Sequence, residues 1–350
     1  MRVAIEAAPL ALSSGGLTRY TAELSLALAR CYPEDEYYLI SDQRFELPAG
    51  AAANLKRGGG PRNAAERRWW LFGLNREMDR LGVGLFHGPD FSVPYIPRRP
   101  SVMTLHDLSP WMDPSWHSNA DRVAGRTPLL LDFGIATMVL TPTAMVRKMA
   151  IERFRLSPER VVVTPEAAPA WLRPVECTPP RPYFLYLGTL EPRKNLSDLV
   201  HAWRDVRRQW DVDLVLAGRR RADFAAIPPE PGLRLAGEVD DRELAALYSG
   251  AVAFVYPSHY EGFGLPALEA MQCGACVIAS RAIEGWAGEA ACYGESPREL
   301  SEFMARAIRE PGWRAERRAR SLERSREFSW ERTARLTREA YEEACKRFER

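Results

Sequence analysis

Residues 259–271, HYEGFGLPALEAM, hold two glutamates eight positions apart: Glu261 just before a Gly-Phe-Gly turn, and Glu269 inside the helix that the next residues predict. An ionised carboxylate presents two acceptor oxygens, so it can take both hydroxyls of a vicinal diol. Pro266 suits the first helical position, where its missing N–H costs nothing, and Gly274 suits the stop. The backbone N–H groups of Gly264 and Leu265 then point out of a helix N-terminus, a site for an anionic oxygen such as phosphate. Gly262 and Gly264 let the backbone approach a ligand closely. Two diols with a diphosphate between them describe a nucleotide sugar. The competing reading has Glu261 capping the turn and Glu269 in solvent.

A second cluster is LGTLEPRKN, residues 187–195, where Arg193 and Lys194 stand together between a strand and a helix. An arginine fork and a lysine point charge suit a diphosphate that gains charge as it departs. Alternatively, both are solvated loop cations. In SSGGLTRY (13–20), Gly15 and Gly16 precede a helix; this is not a Gly-x-Gly-x-x-Gly fingerprint. The pair is either a plain tight turn or a place where backbone N–H groups reach phosphate. His106, in TLHDLS, ends an apolar run. It reads either as a packed histidine or as a reactive one, and Asp107 either orients it or caps the next segment.

These residues need elements to hold them. RVAIEAA, YYLIS, LFHGPD, SVMTLHDLS, MVLTPT and RVVVTPE read as short strands, and GGLTRYTAELSLALARC as an amphipathic helix with Leu17, Leu24 and Leu28 on one face. RPVECTPPRP reads as a proline-rich linker. The rhythm then restarts: YFLYLGT, VDLVLAG, VAFVYPS and ACVIAS as strands, NLSDLVHAWRDVRRQW as a helix, and DDRELAALYSGA as a helix with a capping box of Asp240 and Glu243. WERTARLTREAYEEACKRF is one long closing helix. Strands alternating with helices predict parallel sheets covered on both faces. The expected architecture is α/β, two Rossmann-like doubly wound domains facing across a cleft. Their spans are 1–172, a linker at 173–182, 183–328, and a terminal helix at 329–350.

Composition narrows the function. The formal net charge of +2 on 350 residues gives no global support for a nucleic-acid partner. No run of 18 apolar residues predicts a membrane span, and MRVAIEAAPL lacks the apolar core of a signal peptide. Six scattered cysteines complete no zinc site; Cys273 and Cys276 read as small buried thiols, and the expected compartment is the reducing cytoplasm. Asp211-Val-Asp213 reads as a turn and strand start, not a manganese site. ERRWWLFGLNREMDRLG (66–82) is basic and aromatic. Packing of Trp69 and Leu71 into the core is the plainer reading; contact with a membrane or a lipid acceptor is the other. The mixed charges of 314–327 read as a solvated helix face.

Taken together, YPSHYEGFGLPALEAMQCGACVIAS, YFLYLGTLEPRKNL, LVLAGRRR, GEVDDRELAALYSGA and FSWERTA resemble, in the same order, the retaining glycosyltransferases of family 4, the "glycosyl transferases group 1" domain with the GT-B fold. GGLTRY, LFHGPD, TLHDLSP, SWHS and RVVVTPE extend the resemblance through the first half. It implies Glu261 beside the donor sugar and Glu269 on the nucleotide ribose. Arg193 and Lys194 would lie on the diphosphate, and Gly188, Gly262, Phe263, Gly264 and Leu265 against the donor. Gly15 and Gly16 would reach the phosphates, and His106 would lie near the reaction centre. It also implies no required metal or other cofactor, a nucleotide-sugar donor, and a carbohydrate or lipid-linked acceptor; the expected location is the cytoplasm, with peripheral contact at the inner face of the membrane through the N-terminal domain as the alternative. Three departures stand out: RAIEGWAGEAACYG lacks the Ser-Leu-Pro-Glu loop common in the family, VVVTPEAAPAW lacks an Asn-Gly, and Cys276 replaces a usual proline. A hexose transfer, with mannose a candidate, is the leading expectation. The others are a nucleotide-sugar epimerase or hydrolase of the same fold, and a non-catalytic binder with a decayed site.

Overall fold

A computed structural model describes residues 1–12, 15–117, 121–222 and 224–349. Ser13 and Ser14 of the SSGG stretch and Ser118 of SWHS lie outside the described residues. The chain divides into two compact units, Met1–Glu166 with Trp330–Arg350, and Ala167–Ser329.

In the first unit seven strands form one parallel sheet: β1 (Arg2–Glu6), β2 (Glu36–Ile40), β3 (Leu55–Arg57), β4 (Leu85–Gly88), β5 (Ser101–Thr104), β6 (Met138–Thr141) and β7 (Val161–Val163). Their order is β3-β2-β1-β4-β5-β6-β7. The central strands β4, β5 and β6 are buried along their whole length, as expected where helices cover both faces. The helix Gly16–Cys31 buries Leu24 and Leu28, with Leu17 half-buried. The closing helix Trp330–Phe348 belongs to this unit. Its Trp330 meets Tyr20 edge-on at 5.9 Å, Tyr341 bonds His87 Nδ1 at 2.7 Å, and Arg338 pairs with buried Asp35 at 2.6 Å.

The second unit repeats the plan with β8 (Tyr183–Leu187), β9 (Asp213–Ala217), β10 (Leu233–Gly237), β11 (Ala253–Tyr256), β12 (Val277–Ala279) and β13 (Cys292–Tyr293). The order is β10-β9-β8-β11-β12-β13, again parallel. Its core gathers Phe184, Tyr186, Trp203, Leu214, Phe254 and Ile278, among others. Residues 167–172 count with this unit because Ala168 and Leu172 are buried in its core and Gln272 Nε2 donates to Pro169 O and Leu172 O.

Local differences from the sequence reading have simple causes. β3 and β10 were not foreseen: LKR and LRLAG are short edge strands with exposed, polar positions. Residues 69–73 make a π turn before the helix Leu74–Leu81. That rotation buries Trp69 but leaves Leu71 exposed, which corrects the expected packing of Leu71. Asp240 caps its helix through the N–H of Arg242. The helix of the glutamate motif starts at Leu265, so Pro266 is its second residue. Asp213 opens β9, as a strand start. Cys273 and Cys276 are buried thiols, pushed by burial up to about 12. Among the described residues no helix is long and apolar enough to cross a membrane.

Candidate active site

In an open parallel sheet, ligands gather at the carboxyl ends of the two strands where the order reverses. In the second unit those strands are β8 and β11. The loop after β8 carries Arg193 and Lys194, and the loop after β11 carries Glu261. The two loops are tied through the backbone: His259 N donates to Arg193 O at 2.9 Å. Residues 192–194 form a single 3-10 turn with Pro192 at its start, which sends the Arg193 and Lys194 side chains back toward β11.

There the charges meet. Lys194 Nζ donates to Glu261 Oε1 at 2.6 Å and to the Tyr256 hydroxyl at 3.2 Å. Arg193 Nη1 reaches Glu261 Oε2 at 3.3 Å and Tyr260 O at 2.8 Å, while Nη2 donates to Glu191 Oε1 at 2.9 Å. Lys194 is 6% exposed and Glu261 5%. These cations are therefore not solvated, and Glu261 does more than cap a turn: it bridges both of them. Burial alone would raise the Glu261 carboxyl, but Lys194 and Arg193 overcome it and hold the group down at about 2. Burial pushes the Lys194 ammonium below its ordinary value, and the Arg193 charge adds to that, against Glu261. The cation pair is thus held by protein groups, with its geometry set in advance.

The Gly-Phe-Gly turn lies beside it. Gly264 has φ +90°, and a Cβ there would sit 3.1 Å from Ile283 Cγ2 and 3.3 Å from Tyr256 Cε1. Glycine is needed for both backbone and space. Phe263 stacks on Trp286 at 4.9 Å and 14°, and Trp286 Nε1 donates to Phe263 O at 2.5 Å. Trp286 belongs to the unusual segment after β12, so that segment props the turn from behind. Glu269 lies within the helix Leu265–Gln272 and is 4% exposed; Tyr248 donates to its Oε2 at 2.9 Å. This overturns the solvated reading of Glu269.

In the first unit His106 follows β5. Its Nδ1 lies 2.8 Å from Glu166 Oε1 and its Nε2 2.8 Å from Pro89 O. A carbonyl accepts only, and so does an ionised carboxylate, so both ring nitrogens carry protons and the ring is an imidazolium. Burial opposes that charge, but Glu166, with Asp90 and the Pro89 carbonyl, outweighs it and raises the histidine above its ordinary value. Asp107 does not orient His106; it accepts from Ser109 N and Oγ at 2.9 and 2.7 Å and caps the next turn. Glu166 lies 60 residues away in VVVTPE, where the missing Asn-Gly was the only signal. Gly15, at φ +127°, precedes the helix that Gly16 begins; both are exposed, with open space where a Cβ would stand. Gly188, at φ +151°, packs against the Tyr186 hydroxyl.

Sequence reasoning missed Glu191, Tyr256, Tyr248, Trp286 and Glu166. Glu191 stood in plain view beside Arg193, and Tyr256 ends a strand facing the site; the others are brought in only by tertiary packing.

The chain has informative likenesses. The family described as "Glycosyltransferase Family 4" matches residues 14–169, and that described as "Glycosyl transferases group 1" matches residues 172–311. The chain is 32% identical over 283 residues to the O-antigen chain mannosyltransferase B of Escherichia coli, covering 73% of this chain and 74% of that protein. It is 33% identical over 182 residues, 46% of this chain, to the serotype-specific mannosyltransferase WbdA of Escherichia coli, but spans only 22% of that protein's length. In fold it matches a sucrose-phosphate synthase from Thermosynechococcus elongatus with a TM-score of 0.74 at 18% identity, over 98% of both chains.

Proposed function

Because the chain belongs to the retaining glycosyltransferases of family 4 (glycosyl transferases group 1), we propose that its particular reaction moves mannose from a nucleoside-diphosphate sugar to a growing, lipid-linked saccharide. That it is a glycosyltransferase using a nucleotide sugar and a glycan acceptor follows from the family. Mannose, and a saccharide chain as acceptor, rest on the names of its mannosyltransferase relatives; the lipid link is part of our own reading. The observation that carries the site assignment is the buried Lys194–Glu261–Arg193 bridge at the strand-order reversal.

As the bond between the anomeric carbon and the phosphate oxygen lengthens, the diphosphate gains charge. Arg193, Lys194 and the N-terminus of the helix at Leu265 meet that charge without rearrangement. The acceptor hydroxyl bonds to the anomeric carbon on the same face, and its proton passes to the departing phosphate oxygen, so configuration is retained. We assign Glu261 to holding the two cations beside the sugar and Glu269 to the ribose. Gly188 and residues 262–265 are assigned to the donor, and Gly15 and Gly16 to phosphate. His106, with both ring N–H groups committed to Glu166 and Pro89, serves as a fixed positive charge and not as a base. With two protein cations in place, no metal is required, and transfer should persist in chelator. The first unit also exposes Leu71 and Phe72 beside exposed Arg67 and Arg68, which supports peripheral contact with an anionic membrane; sedimentation with anionic vesicles tests it.

The test is transfer from GDP-mannose, with UDP-glucose and UDP-galactose as comparators, to lipid-linked oligosaccharide. The product's anomeric configuration is read by NMR. A product of retained configuration, formed from GDP-mannose in preference to the others, supports the reading. Release of free epimer or free sugar without an acceptor product overturns it in favour of an epimerase or hydrolase. Binding without turnover overturns it in favour of a binder.

A further inference from the structure

The segment RAIEGWAGEAACYG, which departs from the family pattern, leaves β12 in two single turns, Arg281–Ile283 and Glu284–Ala287. It buries Ile283, Trp286 and Ala287. The Trp286 indole is held on several sides. Its face stacks on Phe263 at 4.9 Å and 14°. Phe328 meets Trp286 edge-on at 5.6 Å and 82°, and Phe263 at 5.8 Å and 73°. Arg324 ties down the backbone: its Nε donates to Trp286 O at 2.7 Å, Nη2 donates to the same oxygen, and the guanidinium lies 5.3 Å from the Phe328 ring centre. Such a ring has little freedom to turn, so the direction of its N–H is set.

That N–H controls one peptide unit. Trp286 Nε1 donates to Phe263 O. The oxygen shares a planar trans peptide with the Gly264 N–H, so the two point in opposite directions. Glycine takes positive and negative φ about equally, so Gly264 itself does not decide which way that plane faces. Its φ of +90° goes with the orientation in which the oxygen meets Trp286. Holding the oxygen therefore aims the N–H. A hydrogen bond to the carbonyl also polarises the amide and strengthens its N–H as a donor. Stacking does neither: it fixes the Phe263 side chain and leaves the peptide plane free.

We propose that Trp286 is a positioning residue of the leaving-group site: its indole N–H, through the Phe263 carbonyl, aims the Gly264 N–H at the phosphate oxygen that gains charge during transfer. This rests on the donor-site reading above. The opposing account is that Trp286 is a core ring that only keeps its segment packed.

The experiment measures kcat, donor KM and melting temperature, with the best donor of the transfer test above and its lipid-linked acceptor. The proteins are wild type, Trp286→Phe, a protein with benzothienylalanine at position 286, Phe328→Leu and Arg193→Ala. Benzothienylalanine keeps the fused rings of tryptophan and puts sulfur where the N–H was, so it carries the test if Trp286→Phe does not fold. Both changes at position 286 should lower kcat roughly 10- to 100-fold while donor KM moves about threefold or less, because the aimed N–H meets a charge that is largest in the transition state. Phe328→Leu thins the same ring cluster but keeps both partners of the hydrogen bond. It should lower the melting temperature and leave kcat within about threefold of wild type. A wild-type kcat in both position-286 proteins, with only a lower melting temperature, overturns the proposal in favour of the core ring. A slow Trp286→Phe beside a fast benzothienylalanine protein also overturns it, because ring shape and not the N–H then matters. An equal loss in Phe328→Leu, or a raised KM with unchanged kcat, overturns it as well. Arg193→Ala separates the two levels: if it too transfers at the wild-type rate, the donor-site reading itself has failed; if it alone is slow, only the role of Trp286 has.

Discussion

Two buried glutamates, one in each unit, lie at or past the ends of strands that border the reversal of strand order and behave in opposite ways. Glu6 ends β1, and Glu261 follows β11; each of these strands borders the reversal of strand order in its sheet. Their exposures are 4% and 5%. Burial pushes Glu6 up to about 8, opposed by the Ala8 N–H and the Ser41 hydroxyl and supported by Asp90 and Asp42. Glu261 suffers the same burial but is held at about 2 by Lys194 and Arg193. Depth in the fold therefore does not set the charge; the partners do. The second unit keeps fixed, paired charges ready to meet a departing anion. In the first unit the carboxyl end of β1 keeps an uncharged carboxyl at neutral pH, and the loop after β5 a pinned imidazolium.

The contrast predicts unequal costs for the same substitution. At pH 7, Glu261→Gln takes from buried Lys194 its carboxylate partner, while Arg193 keeps Glu191, and should destabilise the protein by roughly 3–5 kcal/mol in denaturant unfolding. Glu6→Gln replaces a carboxyl that is already protonated and should cost less than about 1 kcal/mol. Equal costs would break the comparison.

The pH dependence sharpens it. Folded Glu6 holds its proton to a higher pH than the unfolded chain does. Its contribution therefore falls as pH rises from the ordinary carboxyl range through about 8, by up to a few kcal/mol. Glu6→Gln should remove that slope. Glu261 has the opposite sign: its stabilisation is present above the ordinary carboxyl range and is lost as pH falls toward about 2. A pH series of melts on wild type and both variants reads the two slopes.

The smallest effect belongs to His106. Its raised pKa gives stability that is fully present below about 6.5 and is lost as pH rises through the folded value. Glu166→Gln should return the imidazole titration, followed by NMR, to about 6.5 or below. An unchanged titration would mean that Glu166 does not hold the charge.

Much of this was legible in the sequence, for physical reasons. VAFVYPS and YFLYLGT are apolar runs that only a buried strand accommodates, and Gly264 before Leu265-Pro266 marks a helix start. Pairing was less legible. Arg193 and Lys194 predicted an anion site, but not that Glu261, 67 residues on, would neutralise them, because nothing local encodes which loops of a sheet become neighbours. His106 was visible and its partner Glu166 was not, for the same reason. Asp107, the adjacent residue, was the natural candidate and turned to Ser109 instead. β3 and β10 escaped notice because edge strands with exposed positions lack the apolar run that marks central ones.

The central claim is that Arg193 and Lys194 carry the charge of the leaving diphosphate. Its most direct test is kcat/KM for glycosyl transfer by folded Arg193→Ala against wild type, with the same donor and acceptor. The account predicts a fall of roughly 10²- to 10³-fold, about 2.7–4 kcal/mol of lost transition-state stabilisation. A value within about twofold of wild type would contradict it.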